Sequence, residues 1–103
     1  MKLKIEQVVE KLIQTGYNEE HAQSLGEELV NSDIIREPLT HWVETGEEVD
    51  CAYEEITAFE LMQNRSFTYP NALNVISWLY SEPKVAREAL SSGVDSIVWE
   101  GWL

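Results

Sequence analysis

His21, His41 and Cys51 are the side chains of this sequence best suited to act as base, nucleophile or soft metal ligand near neutral pH. Their spacing assembles no recognisable centre. Zinc needs three or four ligands, and two histidines with one cysteine, 20 and 10 residues apart, match no compact zinc pattern. A Cys–His dyad is made in space rather than in sequence, but no local motif accompanies Cys51, and a lone cysteine in a small domain is more often a small buried hydrophobe. Neither the Asp-x-Asp-x-Asp-Gly spacing of a calcium loop nor a glycine-rich phosphate loop is present. The sequence therefore predicts no enzyme, no metal site and no cofactor.

What remains is charge. Residues 44–60 hold Glu44, Glu47, Glu48, Asp50, Glu54, Glu55 and Glu60, with no Lys or Arg anywhere between Arg36 and Arg65. No ion pair can form inside this block. If it were helical it would be ~25 Å long, with one charge per ~3.6 Å of axis, near the ~3.4 Å per phosphate of one DNA strand. Two expectations compete: a mimic of nucleic acid or binder of basic proteins, and a solvated face that confers only solubility. The candidate partner-binding residues are Glu44, Glu47, Glu48, Asp50, Glu54 and Glu55.

The elements that must position these residues follow from periodicity. Leu3, Ile5, Val8, Val9, Leu12 and Ile13 give an amphipathic first helix, closed by Gly16 at a left-handed cap, with Tyr17 folding back on it. Asn18 caps a second helix with Glu19 and Glu20 in its first turn and Ala22, Leu25, Leu29 and Val30 inward. A short third helix is expected over 38–45, with Leu39, Trp42 and Val43 inward, because Pro38 disfavours a helix running through from Ile34. Over 47–55 the alternation of Val49, Cys51 and Tyr53 with Asp50, Ala52 and Glu54 reads as a short strand near 49–55, and a helical turn or irregular segment fits equally well. Thr57 and Glu60 form a capping box opening a fourth helix at Ala58, which shares burial between Phe59 or Met62. The densest apolar run, 69–80, predicts a central helix enclosed on most sides, capped by Thr68 with Pro70 in its first turn. Ser81 and Pro83 open a last helix carrying Val85, Ala86, Ala89 and Leu90. The fold class is all-α, a single-domain bundle of five to six short helices around the 69–80 helix.

The order helix, Gly16-Tyr17, helix, helix in residues 3–45 resembles the ubiquitin-associated three-helix domain, whose first loop carries a Gly-aromatic pair. The resemblance covers less than half the chain, and Thr15 stands where that family usually has Met. Ubiquitin binding is not carried over.

Composition bounds the function. With 103 residues the chain is expected to form one domain, 1–103, and 44% hydrophobic residues with ten aromatics argue for a packed core. Nineteen Asp and Glu against seven Lys and Arg give a formal charge of -12, a field that repels nucleic acid and anionic membranes and favours a basic protein partner. One cysteine excludes an internal disulfide, and the N-terminal residues offer no apolar run long enough for a signal segment, so a cytoplasmic protein is expected. The leading expectation is a non-enzymatic acidic binding protein of inhibitor or immunity type, covering a basic, nucleic-acid-handling site on a partner. The alternative is a structural or adaptor module that docks or forms a homodimer through Trp99 and Trp102, since two Trp and three aliphatics in 97–103 must be covered by something. Docking of that tail on the chain's own core is the expected arrangement.

Overall fold

A computed structural model describes residues 3–93. The expected docking of the tail, and Trp99 and Trp102 with it, lie outside the described residues. Among the described residues six helices and one two-stranded hairpin follow one another: α1 (Ile5–Gln14), α2 (Glu19–Val30), α3 (Arg36–Thr45), β1 (Ala52–Tyr53), β2 (Ile56–Thr57), α4 (Ala58–Arg65), α5 (Tyr69–Ser81) and α6 (Pro83–Ser91). The result is a mostly helical bundle with a radius of gyration of 12.5 Å, as expected for one compact domain of this length.

Local chemistry sets most of the boundaries. Beyond the end of α1, Gly16 N–H donates to the Ile13 carbonyl and Tyr17 N–H to the Leu12 carbonyl, the paired bonds of a Schellman cap, with Gly16 at φ 114°. Asn18 Oδ1 accepts from His21 N–H at 2.8 Å to start α2, and Thr68 Oγ1 accepts from Asn71 N–H to start α5. Helix α3 begins at Arg36, two residues before the expected start at Pro38. Pro38 still falls in the first turn, where its missing N–H has no intrahelical acceptor to lose.

Helix α5 is the centre of the bundle. Tyr69 to Ile76 and Leu79 are buried, while α4, α6, α2 and β1 all pack on it. Enclosure stops at its C-terminal end: Trp78 is half-buried and Tyr80 exposed, so the all-round burial expected over 69–80 holds only for its first two-thirds. Val85 on α6 and Phe59 on α4 are likewise exposed, leaving Ala86, Ala89 and Leu90, and Ala58 and Leu61, as the core residues of those helices.

A polar seam crosses this apolar centre. Asn71, Asn74 and Ser77, three residues apart on α5, share one face. Asn71 Nδ2 donates to Tyr17 Oη at 3.1 Å and Ser77 Oγ to Ser32 Oγ at 2.7 Å. Tyr17 and Ser32 flank the two ends of α2, so α2 and α5 run in the same direction with this seam between them. Asn74, at its middle, is fully buried and neither polar atom of its carboxamide has a hydrogen-bond partner.

The connection from α3 to α4 holds the main departure from expectation. The strand read over 49–55 shrinks to Ala52–Tyr53, and it pairs antiparallel with Ile56–Thr57 in the register Ala52↔Thr57, Tyr53↔Ile56. Thr57 therefore serves twice, as a strand residue and as the N-cap of α4, where its Oγ1 accepts from Glu60 N–H at 3.1 Å.

Candidate functional site

The acidic residues cluster on this connection. Glu44 lies in the last turn of α3, and Gly46, at φ 78°, turns the chain out of that helix. Glu47, Glu48 and Asp50 then follow in non-repetitive backbone, and Glu54 and Glu55 form the two-residue tip of the hairpin. All six are exposed. The continuous helix that would have spaced these charges like phosphates does not form.

An exposed connection without long strands would be mobile if nothing held it. Three anchors hold this one. The first is Tyr69, whose hydroxyl donates to the Val49 carbonyl at 2.7 Å and accepts from Val49 N–H at 3.2 Å. Its ring is buried and tilted against Trp42, with centroids 6.0 Å apart. Burial pushes the Tyr69 hydroxyl up to about 12, and the nearby charges of Cys51, Glu48 and Asp50 push the same way against the lowering effect of its Val49 bond.

The second anchor is the N-terminus of α4. Three of its first N–H groups find acceptors on the connection itself: Ala58 donates to the Cys51 carbonyl at 2.7 Å, Phe59 to Asp50 Oδ1 at 3.1 Å, and Glu60 to Thr57. Asp50 also places negative charge at the positive end of the helix dipole. Its side chain is thus shared between the fold and the surface.

The third anchor holds the hairpin against α5 and α6. Tyr53 meets Tyr80 edge-on, with centroids 4.6 Å apart and an interplanar angle of 85°. The Arg87 guanidinium lies over the Tyr53 ring, 5.4 Å from its centroid, and its Nη2 is 2.6 Å from Glu54 Oε2. Glu54 needs that support, since its φ of 51° is a left-handed conformation that a non-glycine residue rarely adopts.

One cation missing from the block in sequence is thus supplied from outside it, by Arg87, and a histidine ring supplies a further polar contact. Glu54 meets Arg87, and Glu47 Oε2 lies 3.1 Å from His41 Nε2. Glu44, Glu48 and Glu55 make no ion pair among the described residues. Tyr53 entered the sequence reading only as a strand residue, and Tyr69 and Arg87 were not singled out as anchors, because the contacts that matter join positions 20 and 33 residues apart.

The nucleophile candidates gain little from their surroundings. Cys51 is half-buried, and burial first, then the Asp50 carboxylate, raises its thiol pKa, which favours the unreactive protonated form. His21 sits at the start of α2 beside Asn18, and His41 on α3 beside Glu47. No three His, Cys, Asp or Glu side chains among the described residues are grouped to hold a metal ion, and no described helix is long and apolar enough to cross a membrane.

No protein-family model matches this chain, and it has no significant match among curated proteins or solved structures.

Proposed function

We propose that this protein is a non-enzymatic acidic binder whose 44–55 connection covers a basic site on a partner protein, in the manner of an inhibitor or immunity protein. One observation carries the reading: six exposed carboxylates lie on the last turn of α3 and on a connection tied to the core at Val49, Asp50 and Tyr53–Glu54. A held loop loses less conformational freedom on binding than a free one, so more of its interaction energy becomes affinity. With Glu44, Glu48, Asp50 and Glu55 outside any ion pair among the described residues and a net charge of -12, the field speeds encounter with a positively charged surface. Proteins that handle nucleic acid carry such surfaces, and a rigid acidic loop competes with phosphates for them.

Affinity capture from the native cell extract at low and high salt tests this. The proposal expects a basic nucleic-acid-handling protein that is retained at low salt, released at high salt, and prevented from binding nucleic acid while captured. A partner held equally well at both salt concentrations, or one without a basic surface, contradicts it.

A further inference from the structure

The C-terminal ends of α2 and α5 leave a depression of about 530 Å³ between them. Glu28 and Asp33 stand in its lining beside Ile34, Ser77 and Tyr80, and the lining contains no Lys or Arg. Ile34 and Tyr80 are 49% and 45% exposed, two of the largest apolar groups left in contact with solvent. We propose that this depression receives an arginine side chain of the partner, stacked on Tyr80 and paired with Glu28; this rests on the reading of the protein as a binder of a basic surface, and names the residue type it reads there.

The combination of groups selects the occupant. A purely apolar ligand would strip water from the Glu28 carboxylate without giving it a partner. An anion would be repelled, and so would a second copy of this chain, which carries the same charge of -12. A guanidinium satisfies both halves of the site, since its plane stacks on an aromatic ring while its N–H edge meets a carboxylate. The molecule already makes this arrangement one ring away, where Arg87 lies over Tyr53 and bonds Glu54. Tyr80 is the edge-on neighbour of that same Tyr53, so its ring is held in place before anything binds. Of the two carboxylates, Asp33 is engaged by Arg36 at 2.6 Å, whereas Glu28 has no ion-pair partner among the described residues, which makes Glu28 the one free to pair. The depression joins the acidic hairpin through the Tyr80–Tyr53 contact, so one basic surface can engage both.

The test is a titration of the whole chain with a blocked Gly-Arg-Gly peptide and its Gly-Lys-Gly counterpart, followed by backbone amide and aromatic chemical shifts. The arginine peptide is expected to move residues 28–34 and 77–81 and the Tyr80 ring, and to bind more tightly than the lysine peptide. Tyr80→Ala and Glu28→Gln should each weaken it by roughly three- to fivefold. Glu28→Gln lies on the exposed side of α2 and carries the test if Tyr80→Ala loosens the hairpin. Equal affinities for the two peptides, shifts centred on 47–55, or unchanged binding by the Glu28→Gln protein would overturn the proposal. The loop reading is measured on the captured partner and this one on the peptide, so either can fail without the other.

Discussion

Asp50 faces two ways: its charge is exposed to solvent while Oδ1 accepts the Phe59 N–H at the head of α4. Removing the side chain and removing the charge should therefore have different effects. Asp50→Ala is expected to cost about 1 kcal/mol, the usual worth of a helix N-terminal acceptor, and Asp50→Asn a fraction of that, since the amide oxygen still accepts. Denaturant unfolding of the two variants checks this, and equal losses would mean that the charge and not the hydrogen bond holds α4. Tyr69 gives the residue scale a pH dependence. Its hydroxyl is raised from 10.0 to about 12 by burial, so below pH 10 it is protonated in folded and unfolded chains alike and its bonds to Val49 are intact. Between pH 10 and about 12 the unfolded chain ionises first, and stability must fall as pH rises through that window. The stability difference between wild type and Tyr69→Phe should be positive at neutral pH and shrink across the same interval. A difference that stays constant to pH 12 would mean the hydroxyl is not the anchor of the connection.

At the scale of elements, the packing of α1 on α2 depends on Gly26. A Cβ at that position would lie 2.9 Å from Val9 Cγ2, closer than real contacts allow. Gly26→Ala should lower stability by about 1 kcal/mol or more, because overpacking outweighs the gain of about 1 kcal/mol in helix propensity. Adding Val9→Ala should recover that loss, and a double-mutant cycle with no coupling would place the close approach elsewhere. The seam between α2 and α5 makes the opposite prediction. Asn74 is buried with its carboxamide unsatisfied, so Asn74→Leu, which keeps the branched outline with somewhat bulkier tips, should be neutral or stabilising in thermal unfolding, whereas a clear loss with Asn74→Leu and with the smaller Asn74→Val alike would show that the amide is satisfied in solution, for example by a buried water. These elements also show what the sequence could reveal. Asn18, Thr57 and Thr68 were readable as caps because each bonds an N–H three residues on, Pro70 because its fixed φ suits a first turn, and Gly16 because a left-handed cap favours glycine. The hairpin was not, because its second strand uses Ile56 and Thr57, which read equally as the entry to α4. The acidic residues themselves were visible as composition, while their anchors were not: Tyr69 and Arg87 act across the fold, and no local pattern distinguishes them from core and surface residues. The seam was hidden in the same way, two asparagines inside an apolar run whose partner residues lie before and after α2.

Over the whole molecule, a charge of -12 is carried on a body of 34 × 25 × 23 Å, dimensions only a few times the Debye length of about 8 Å at physiological salt. Charges on one face therefore act together on an approaching partner, while charges on opposite faces hardly sense each other. On the proposed reading, the clustering on the α3–α4 connection, more than the net charge, would make a directed encounter surface. Its internal bonds allow the charge to be removed without dismantling the loop: Asn at 50 keeps an acceptor for Phe59, and Gln at 54 keeps an oxygen for Arg87. The most direct test is the association rate of the captured partner with the combined variant Glu47→Gln, Glu48→Gln, Asp50→Asn, Glu54→Gln and Glu55→Gln, measured by stopped flow over a range of salt. With the fold verified by circular dichroism, the on-rate should drop by roughly tenfold or more and lose most of its salt dependence. A folded variant that associates as fast as wild type, with the same affinity and the same response to salt, would contradict the assignment of the acidic connection as the binding surface.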